Sequence, residues 1–420
     1  MNHIHVIGAG LAGLAAALAL TEAGRTVTVH EASAAAGGRC RSYFDRELGL
    51  RIDNGNHLIL SGNRATHDYI DEIGTNDRFT APARAAFPFV DLNSDIRWTL
   101  RPSAGRIPWW VLRSGSRIPE TKLSDYWELA RIGRVKDDRT VAEAVRRGRL
   151  YWRMVEPLAI AALNTRPQYA LVRLLGAVMR ETLLRGGRAC IPMFPRGGLS
   201  EALVDPAVAL LRERGAEVLF NRRISGLTMA EGRITAIAAA DGPIALDGGD
   251  GVVLAVPPWA AGELVPDLIV PNEFESILNI HYALDAAPTG PVAEAGFIGV
   301  LGGAAEWVFV KQGHVSVTIS AANHMIDNDA RAIAAAVWPN VVAALGLTVK
   351  ADAPIPPFRV IKEKRATITA SSAQERRRPA ARTTLANLAL AGDWTATGLP
   401  GTIEGAIRSG RSAAQVLVGR

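Results

Sequence analysis

Cysteine is nearly missing: Cys40 and Cys190 are the two in 420 residues. Neither a pair nor a quartet has metal-ligand spacing, which excludes a disulfide framework and a structural zinc site and fits a reducing compartment such as the cytoplasm. Apolar runs of about twenty residues are missing too, so no transmembrane helix is expected. The stretch from Val155 to Leu184 comes nearest, and Asn164, Arg166, Arg173 and Arg180 break it. The first apolar run lacks a basic leader and is interrupted by glycines, so no signal peptide is expected. The chain has no internal repeat, no low-complexity tail and no motif of a hydrolase nucleophile, a zinc enzyme or a P-loop. It also lacks any nucleic-acid-binding module, and no nucleic-acid partner is expected.

What remains is a globular composition, 48% apolar and 21% charged, in a chain longer than one ordinary domain requires. The net charge of +6 comes with bases that are mostly arginine and are spread along the chain. Such a spread names no partner by itself.

The informative stretch is the first forty residues. A short apolar strand, His3 to Ile7, leads into Gly8-Ala9-Gly10-Leu11-Ala12-Gly13, a helical pattern closed by Gly24, and a second strand, Thr26 to His30, ending at Glu31. This is a βαβ unit with a G-x-G-x-x-G turn and an acidic residue about twenty positions on. Gly8 permits the tight turn, Gly10 lets the backbone approach a pyrophosphate, and Gly13 lets helix and strand pack closely. The helix N-terminus, with Leu11 and Ala12 in its first turn, offers N–H groups and positive potential to phosphates. Glu31, followed by Ala32, can accept ribose hydroxyls. Alone, the unit announces a dinucleotide without choosing between NAD and FAD.

Further on, strand and helix patterns alternate. Phe87 to Leu100 reads as strands with turns, and residues 103–190 as mostly helical, with helices over Leu123 to Val135, Thr140 to Arg147, Tyr151 to Asn164 and Tyr169 to Leu184. Ile224 to Asp247 reads as a meander and Gly251 to Val256 as a buried strand. A mixed block covers 270–370, and Leu388 to Ala391 is a strand expected to join the sheet of Val6 and Ile7. The expected class is α/β: a Rossmann-like dinucleotide-binding domain interleaved with a substrate domain of mixed sheet and helices. Residues 1–77, 191–262 and 380–420 form the first, and 78–190 and 263–379 the second, with a helical subregion at 103–190.

The motifs resemble those of the FAD-dependent amine oxidase and phytoene desaturase superfamily and, more closely, of the squalene-associated FAD-dependent desaturase family of hopanoid gene clusters. The general ones are Gly8-x-Gly10-x-x-Gly13, Glu31, Gly37-Gly38-Arg39 and Gly392-Asp393. The specific ones are Asp53-Asn54-Gly55-x-His57, Glu156-Pro157-Leu158 with Ala161 to Thr165, Ala373-Gln374-Glu375-Arg376, and the closing run from Ala391 to Ala406. Two departures are Asn56, where the family carries glutamine, and the Arg106 to Trp110 stretch, where it carries a leucine-rich helix.

The resemblance implies that the Rossmann-like domain is an FAD-binding domain of amine-oxidase type, with its site closed from both ends of the chain. Gly38 with Gly37 makes a second close-approach turn, and Arg39 can pair with phosphate. Val218 and Ile224 fall where related enzymes contact the adenine, and Gly392-Asp393 serves the ribityl hydroxyls or the pyrophosphate. Asn54 and Gly55 shape the loop that carries His57, while Gly401, Thr402 and Ile403 open a last helix whose amides face the flavin pyrimidine edge. It also implies the reaction: removal of the allylic hydroxyl of hydroxysqualene, with hydride from reduced FAD, to give squalene. That chemistry needs an acid–base pair, expected in His57 and Asp53, an electron donor that the sequence does not identify, and no metal. A C30 isoprenoid is insoluble, so a cytoplasmic enzyme peripheral to the inner face of the cell membrane is expected, with Arg106, Trp109, Trp110, Arg113 and Arg117 at the membrane surface. A carotenoid-type desaturase is the alternative. An amine oxidase is disfavoured, because only Trp394 stands near the final motif where a pair of aromatics is needed.

Overall fold

The protein is described by a computed structural model covering residues 3–350 and 352–419. The β-branched, apolar runs near the start, middle and end of the chain form one parallel sheet in the order Glu217–Leu219, Thr26–His30, His3–Ile7, Gly251–Leu254, Leu388–Leu390. The last strand therefore enters the sheet of Val6 and Ile7, one strand removed, with Gly251–Leu254 between them. Both faces are covered, as a parallel sheet requires. The helix Leu11–Glu22 is buried nearly all round, and the final helix Ile403–Val418 lies against it. Small residues permit this: a Cβ on Gly410 would stand 2.1 Å from the carbonyl oxygen of Ala12.

Residues 224–245 form the expected meander, with strands Ile224–Ala230, Arg233–Ala239 and Gly242–Ala245 and a turn at Glu231 and Gly232, both at positive φ.

The second sheet has seven strands: Phe358–Ile368, Phe274–Tyr282, His314–Ile319, Trp307–Lys311, Phe297–Leu301, Phe87–Asp91 and Ile96–Leu100. Side chains alternate across it. Leu278, Ile280, Tyr282, Val308, Val315 and Val317 point to one face and form a core with Ile333, Val337 and Val341 of the helix Ala330–Leu345. The cross-strand registers Asn279–Thr318–Trp307 and His281–Ser316–Phe309 line the other face. That face is polar at one side and aromatic at the other, and it looks toward the nucleotide-binding half.

Between residues 103 and 190 the helices are shorter than their periodicity predicts. Val141–Ala144 replaces the expected helix from Thr140 to Arg147, because Thr140 and Glu143 close a capping box at one end and Val145 turns extended at the other. The expected helix from Tyr151 to Asn164 is an exception: a π-helical turn, Tyr151–Val155, runs directly into Glu156–Leu163, and the helix stops at Asn164, which is left-handed (φ 46°). Val172–Glu181 starts only after Leu171 has donated its amide to Ala370. Trp109–Leu112 is a single 3₁₀ turn, as Pro108 and Gly115 dictate.

Candidate active site

Parallel strands leave their ligand site beyond their C-terminal ends. There the Gly8 amide donates to the His30 carbonyl (2.8 Å), and Gly8 takes φ +105°. Added Cβ atoms would sit 2.5 Å from the Ala255 oxygen at Gly8, and 1.9 Å from the Gly8 oxygen at Gly13. Both positions therefore demand glycine. Gly10 is different: a Cβ there would meet nothing within 4 Å. It is the N-cap of Leu11–Glu22, has no side-chain cap, and has no acidic residue in the turn that follows. Open space thus faces uncapped amides, the condition for holding a pyrophosphate.

The second glycine turn lies on the first. The Gly37 amide donates to the Ala9 carbonyl (2.8 Å), Gly37 and Gly10 form a bridge, and a Cβ on Gly38 would be 3.7 Å from the Gly10 Cα. Glu31 accepts from the Ala9 amide (2.8 Å) and the Ser33 amide (2.9 Å) beside exposed Ala32. The segment from Leu219 to Arg222 runs past it, joined by the amides of Glu31 and Arg222. Val218 and Ile224 are each 8% exposed and lie within hydrophobic clusters, so they present little surface to an adenine.

Arg39 and Asp393 meet directly, Nη2 to Oδ1 at 2.6 Å, and Arg39 also donates to the Ala366 carbonyl. The start and the end of the chain are thus locked by one ion pair, where separate contacts to phosphate and ribityl were expected. The arginine side chain is 42% exposed, so it keeps donors for an incoming anion. Gly392 stands at φ +147°, with Trp394 where a side chain would be, and Trp394 donates to the Val256 carbonyl (2.9 Å). Below this run Arg378, its side chain fully buried, donates to the carbonyls of Asp393 (3.0 Å), Thr395 (2.9 Å) and Leu399 (2.7 Å) and pairs with Glu375 (3.0 Å). Gly401 follows, then Thr402 caps the final helix by accepting from the Gly405 amide (3.0 Å). The last helix begins at Ile403, and Glu404 reaches back to the amides of Ala65 (3.1 Å) and Thr66 (2.8 Å), which start another helix, Arg64–Glu72.

The loop from Asp53 to His57 is held by the polar part of the seven-stranded sheet. Asn56 donates to Ser316 (2.7 Å) and Thr318 (3.0 Å), Asn279 donates to the Asn54 carbonyl (3.3 Å), and His281 Nε2 lies 3.1 Å from the Asp53 carbonyl. Gly55 fits against the Asn279 amide, 3.3 Å from where a Cβ would be. Asn54 donates to the Arg39 carbonyl (3.4 Å) and to Glu363 (3.3 Å), tying the loop to the flavin side.

His57 and Asp53 differ sharply within this loop. The His57 ring is half-buried and has no hydrogen-bond partner among the described residues. Burial lowers its pKa to about 4, with Arg39 and Lys311 pushing the same way and Asp53 opposing, so the ring is neutral at pH 7. Asp53 is enclosed. Its Oδ1 accepts from Ser42 (2.7 Å) and the Leu199 amide (2.8 Å), and its Oδ2 pairs with Lys311 (2.7 Å). Burial favours its neutral form, yet the Lys311 charge and hydrogen bond outweigh it and hold the carboxyl below the usual range. An ionised, fully bonded carboxylate supplies no proton. Through these contacts Asp53 fixes the loop.

The sequence reading missed Lys311, Asn279, His281, Ser316, Thr318 and Arg378. The available signal was polar residues at alternate positions inside otherwise apolar strands, as in Leu278-Asn279-Ile280-His281. Among the described residues no group of histidine, cysteine or carboxylate side chains can hold a metal.

Two stacked glycine turns, uncapped amides at Gly10, Arg39 and the helix opening at Gly401 fit one dinucleotide lying from Glu31 toward the His57 loop. Comparison with known proteins agrees. The model of the flavin containing amine oxidoreductase family matches residues 11–418. The chain is 44% identical over 417 residues to a hydroxysqualene dehydroxylase of Rhodopseudomonas palustris, covering 99% of this chain and 98% of that one. It is 41% identical to that of Zymomonas mobilis, covering 99% of each. The fold is shared with the cyclohexylamine oxidase of Brevibacterium oxydans, with a TM-score of 0.71 at 15% identity over 100% of this chain and 99% of the other. The chain belongs to the flavin containing amine oxidoreductase family, within it to the family of its hydroxysqualene dehydroxylase relatives, and is an FAD-dependent oxidoreductase.

Proposed function

We propose that the protein removes the allylic hydroxyl of hydroxysqualene reductively, giving squalene. One observation carries this reading: the similarity to proteins named hydroxysqualene dehydroxylase extends over 99% of the chain, including the sheet face and helices that flank the His57 loop, and not the flavin cradle alone. In this reading residues 1–77, 191–262 and 380–420 bind FAD, and 78–190 and 263–379 bind the isoprenoid.

Bound FAD in its reduced form supplies a hydride. The chain's own residues supply the surroundings. Gly8, Gly10, Gly13, Glu31, Gly38 and Arg39 hold the adenylate and pyrophosphate, and the N-terminus of the final helix, at Gly401 to Ile403, favours negative charge at the flavin pyrimidine edge. The aromatic part of the sheet face gives a dry wall beside the loop: Phe297 lies 5.7 Å from Phe309, 5.9 Å from Trp307 and 6.0 Å from Phe87, with Leu58 packed on them. Ring faces there can stabilise an allylic cation as the hydroxyl leaves. His57, neutral and unpartnered, offers an N–H or a lone pair to the substrate hydroxyl. Asp53 positions it.

Access for an insoluble substrate is proposed to come from a membrane surface. Ile107, Trp109, Leu112, Leu123 and Trp127 are exposed in one stretch of chain, with Arg106 and Arg113 beside them. Trp110 turns inward instead and stacks edge-on against Tyr126 at 5.2 Å. Among the described residues no helix is long and apolar enough to cross a membrane.

The test is anaerobic incubation of the reduced enzyme with hydroxysqualene. Squalene is the expected product. Absence of squalene, together with desaturation of phytoene or squalene by the oxidised enzyme, replaces the reading with a desaturase. His57→Ala is expected to cost tenfold or more in turnover with flavin retained; unchanged turnover removes His57 from the site. Binding to anionic vesicles at low salt, lost in Trp109→Ser/Trp127→Ser, tests the membrane face.

A further inference from the structure

The proposed reaction spends a hydride from reduced FAD in every turnover, so electrons must return to the cofactor from outside the chain. The sequence holds a single G-x-G-x-x-G unit, Gly8 to Gly13, and that unit is taken by the flavin.

The turn that closes the flavin site comes close to the surface. A Cβ on Gly401, at the opening of the final helix, would lie 3.1 Å from Asp393 Oδ2, and Asp393 pairs with Arg39. Leu399 stands two residues before Gly401, at most about 7 Å along the chain. Leu399 and Pro400 are buried, whereas Ala396 and Gly398 of the same turn are exposed. A few residues therefore separate solvent from the cradle.

A cavity of about 330 Å³ opens beside this turn, lined by Thr397, Gly398 and Leu399 together with Arg180, Arg185 and Arg408. Glu181, also in its wall, and Glu404 are both taken by Arg408, at 2.6 and 2.7 Å. Arg180 and Arg185 have no carboxylate partner among the described residues. Each is steadied by a carbonyl instead: Arg180 Nη1 donates to Gly133 (2.9 Å) and Arg185 Nε to Arg180 (3.2 Å). Both guanidiniums keep further donors and a charge that no acid offsets. The wider surface agrees in sign. Arginines occur throughout the chain but are densest over residues 103–190, where bases outnumber acids about two to one; over the remainder acids slightly outnumber bases.

We infer that this arginine-rimmed cavity docks an acidic electron-carrier protein that reloads the flavin, an assignment that rests on the function proposed above. The carrier gives up two electrons and is oxidised, solvent gives two protons, and FAD returns to the reduced form that supplies the next hydride. The cavity is polar and at the low end of small-molecule sites, too small to bury a nicotinamide dinucleotide. It suits the small, weak contact that electron-transfer partners make. Fixed positive charge steers an acidic partner to it, at a rate that falls with salt. None of the exposed tryptophans lines it, so it lacks the apolar part of a lipid contact.

The experiment is anaerobic stopped-flow reduction of the oxidised holoenzyme, without substrate, by two acidic carriers: a reduced [2Fe–2S] ferredoxin and a fully reduced flavodoxin. At least one is expected to bleach the flavin, at a rate that falls steeply from low to high salt. R180E/R185E is expected to slow that reduction tenfold or more and to weaken carrier binding in titration calorimetry. Its flavin content, and its squalene formation after photoreduction, are expected to match the wild type. R185Q is expected to show a smaller loss of the same kind, and it decides if the double variant does not fold. The assignment is overturned if neither carrier reduces the flavin, or if the rate ignores both salt and R180E/R185E. It is overturned as well if NADH or NADPH reduces the flavin faster than both carriers, or if the double variant loses binding to anionic vesicles and not to a carrier. All these outcomes leave squalene formation standing. A photoreduced wild type that makes no squalene overturns the function itself, and the need for a donor with it.

Discussion

At the nucleotide end the backbone does the binding, and side chains are kept out. Gly8, Gly13, Gly37 and Gly410 sit where an added carbon would strike a carbonyl, and Gly10 leaves open space before uncapped amides. At the chemical end the reverse holds. The loop from Asp53 to His57 has little regular structure, and its shape is imposed by Lys311, Asn279, His281, Ser316 and Thr318 from three strands of another sheet. The first half tolerates no extra atoms, whereas the second tolerates no unpaired charge. Close packing makes steric errors expensive, and burial makes electrostatic ones so.

The contrast can be broken at its strongest point first. Gly13→Val is expected to cost about 4 kcal/mol or more, because the clash is with backbone that cannot move aside; the measurement is flavin absorbance per folded protein, and a yellow, stable variant would refute it. Asp53→Ala leaves the Lys311 ammonium buried alone and is expected to destabilise by about 3–5 kcal/mol in chemical denaturation. Adding Lys311→Met should restore most of that loss. Equal stabilities of single and double variants would show that the loop is not held by charge.

The nucleotide half is not wholly free of buried ionisable groups, which sharpens the comparison. His5 Nδ1 and His30 Nε2 are 3.0 Å apart beneath the sheet, and burial lowers both pKa values from 6.5 to about 4. Their folded values lie below the unfolded one, so acidification protonates the unfolded chain first. Stability is then lost as pH falls below 6.5, by about 2 kcal/mol near pH 5 for one such ring. Urea denaturation at pH 7.5 and 5 reads this, and equal midpoints would contradict it. The smallest effect is expected at the start of the final helix. Thr402→Ala removes the N-cap of the final helix and should lower stability by about 1 kcal/mol in the same assay, with weaker flavin retention.

How much was legible follows from the same contrast. The glycine turns, Glu31, the meander and the entry of Leu388–Leu390 into the first sheet could be read, because each is a local pattern with one backbone solution. The Arg39–Asp393 pair could be read only as two separate residues. The helices expected over Thr140 to Arg147 and Tyr169 to Leu184 were read too long, since periodicity does not register the extended turn at Val145 or the strand-like Leu171. Arg378 had no local signal at all, because its partners are carbonyls of a turn some fifteen to twenty-one positions away.

The sequence by itself determined the class of fold and the dinucleotide cradle, because backbone approach requires glycine at set spacings, and its resemblance to a flavoprotein family named the cofactor. Only the tertiary structure decided what the residues beyond the cradle do. It bound both carboxylate oxygens of Asp53 to Ser42, Leu199 and Lys311, and left His57 half-buried without a hydrogen-bond partner among the described residues. Protonation depends on burial and on charges far away in the chain, and neither is written in a residue's own neighbourhood.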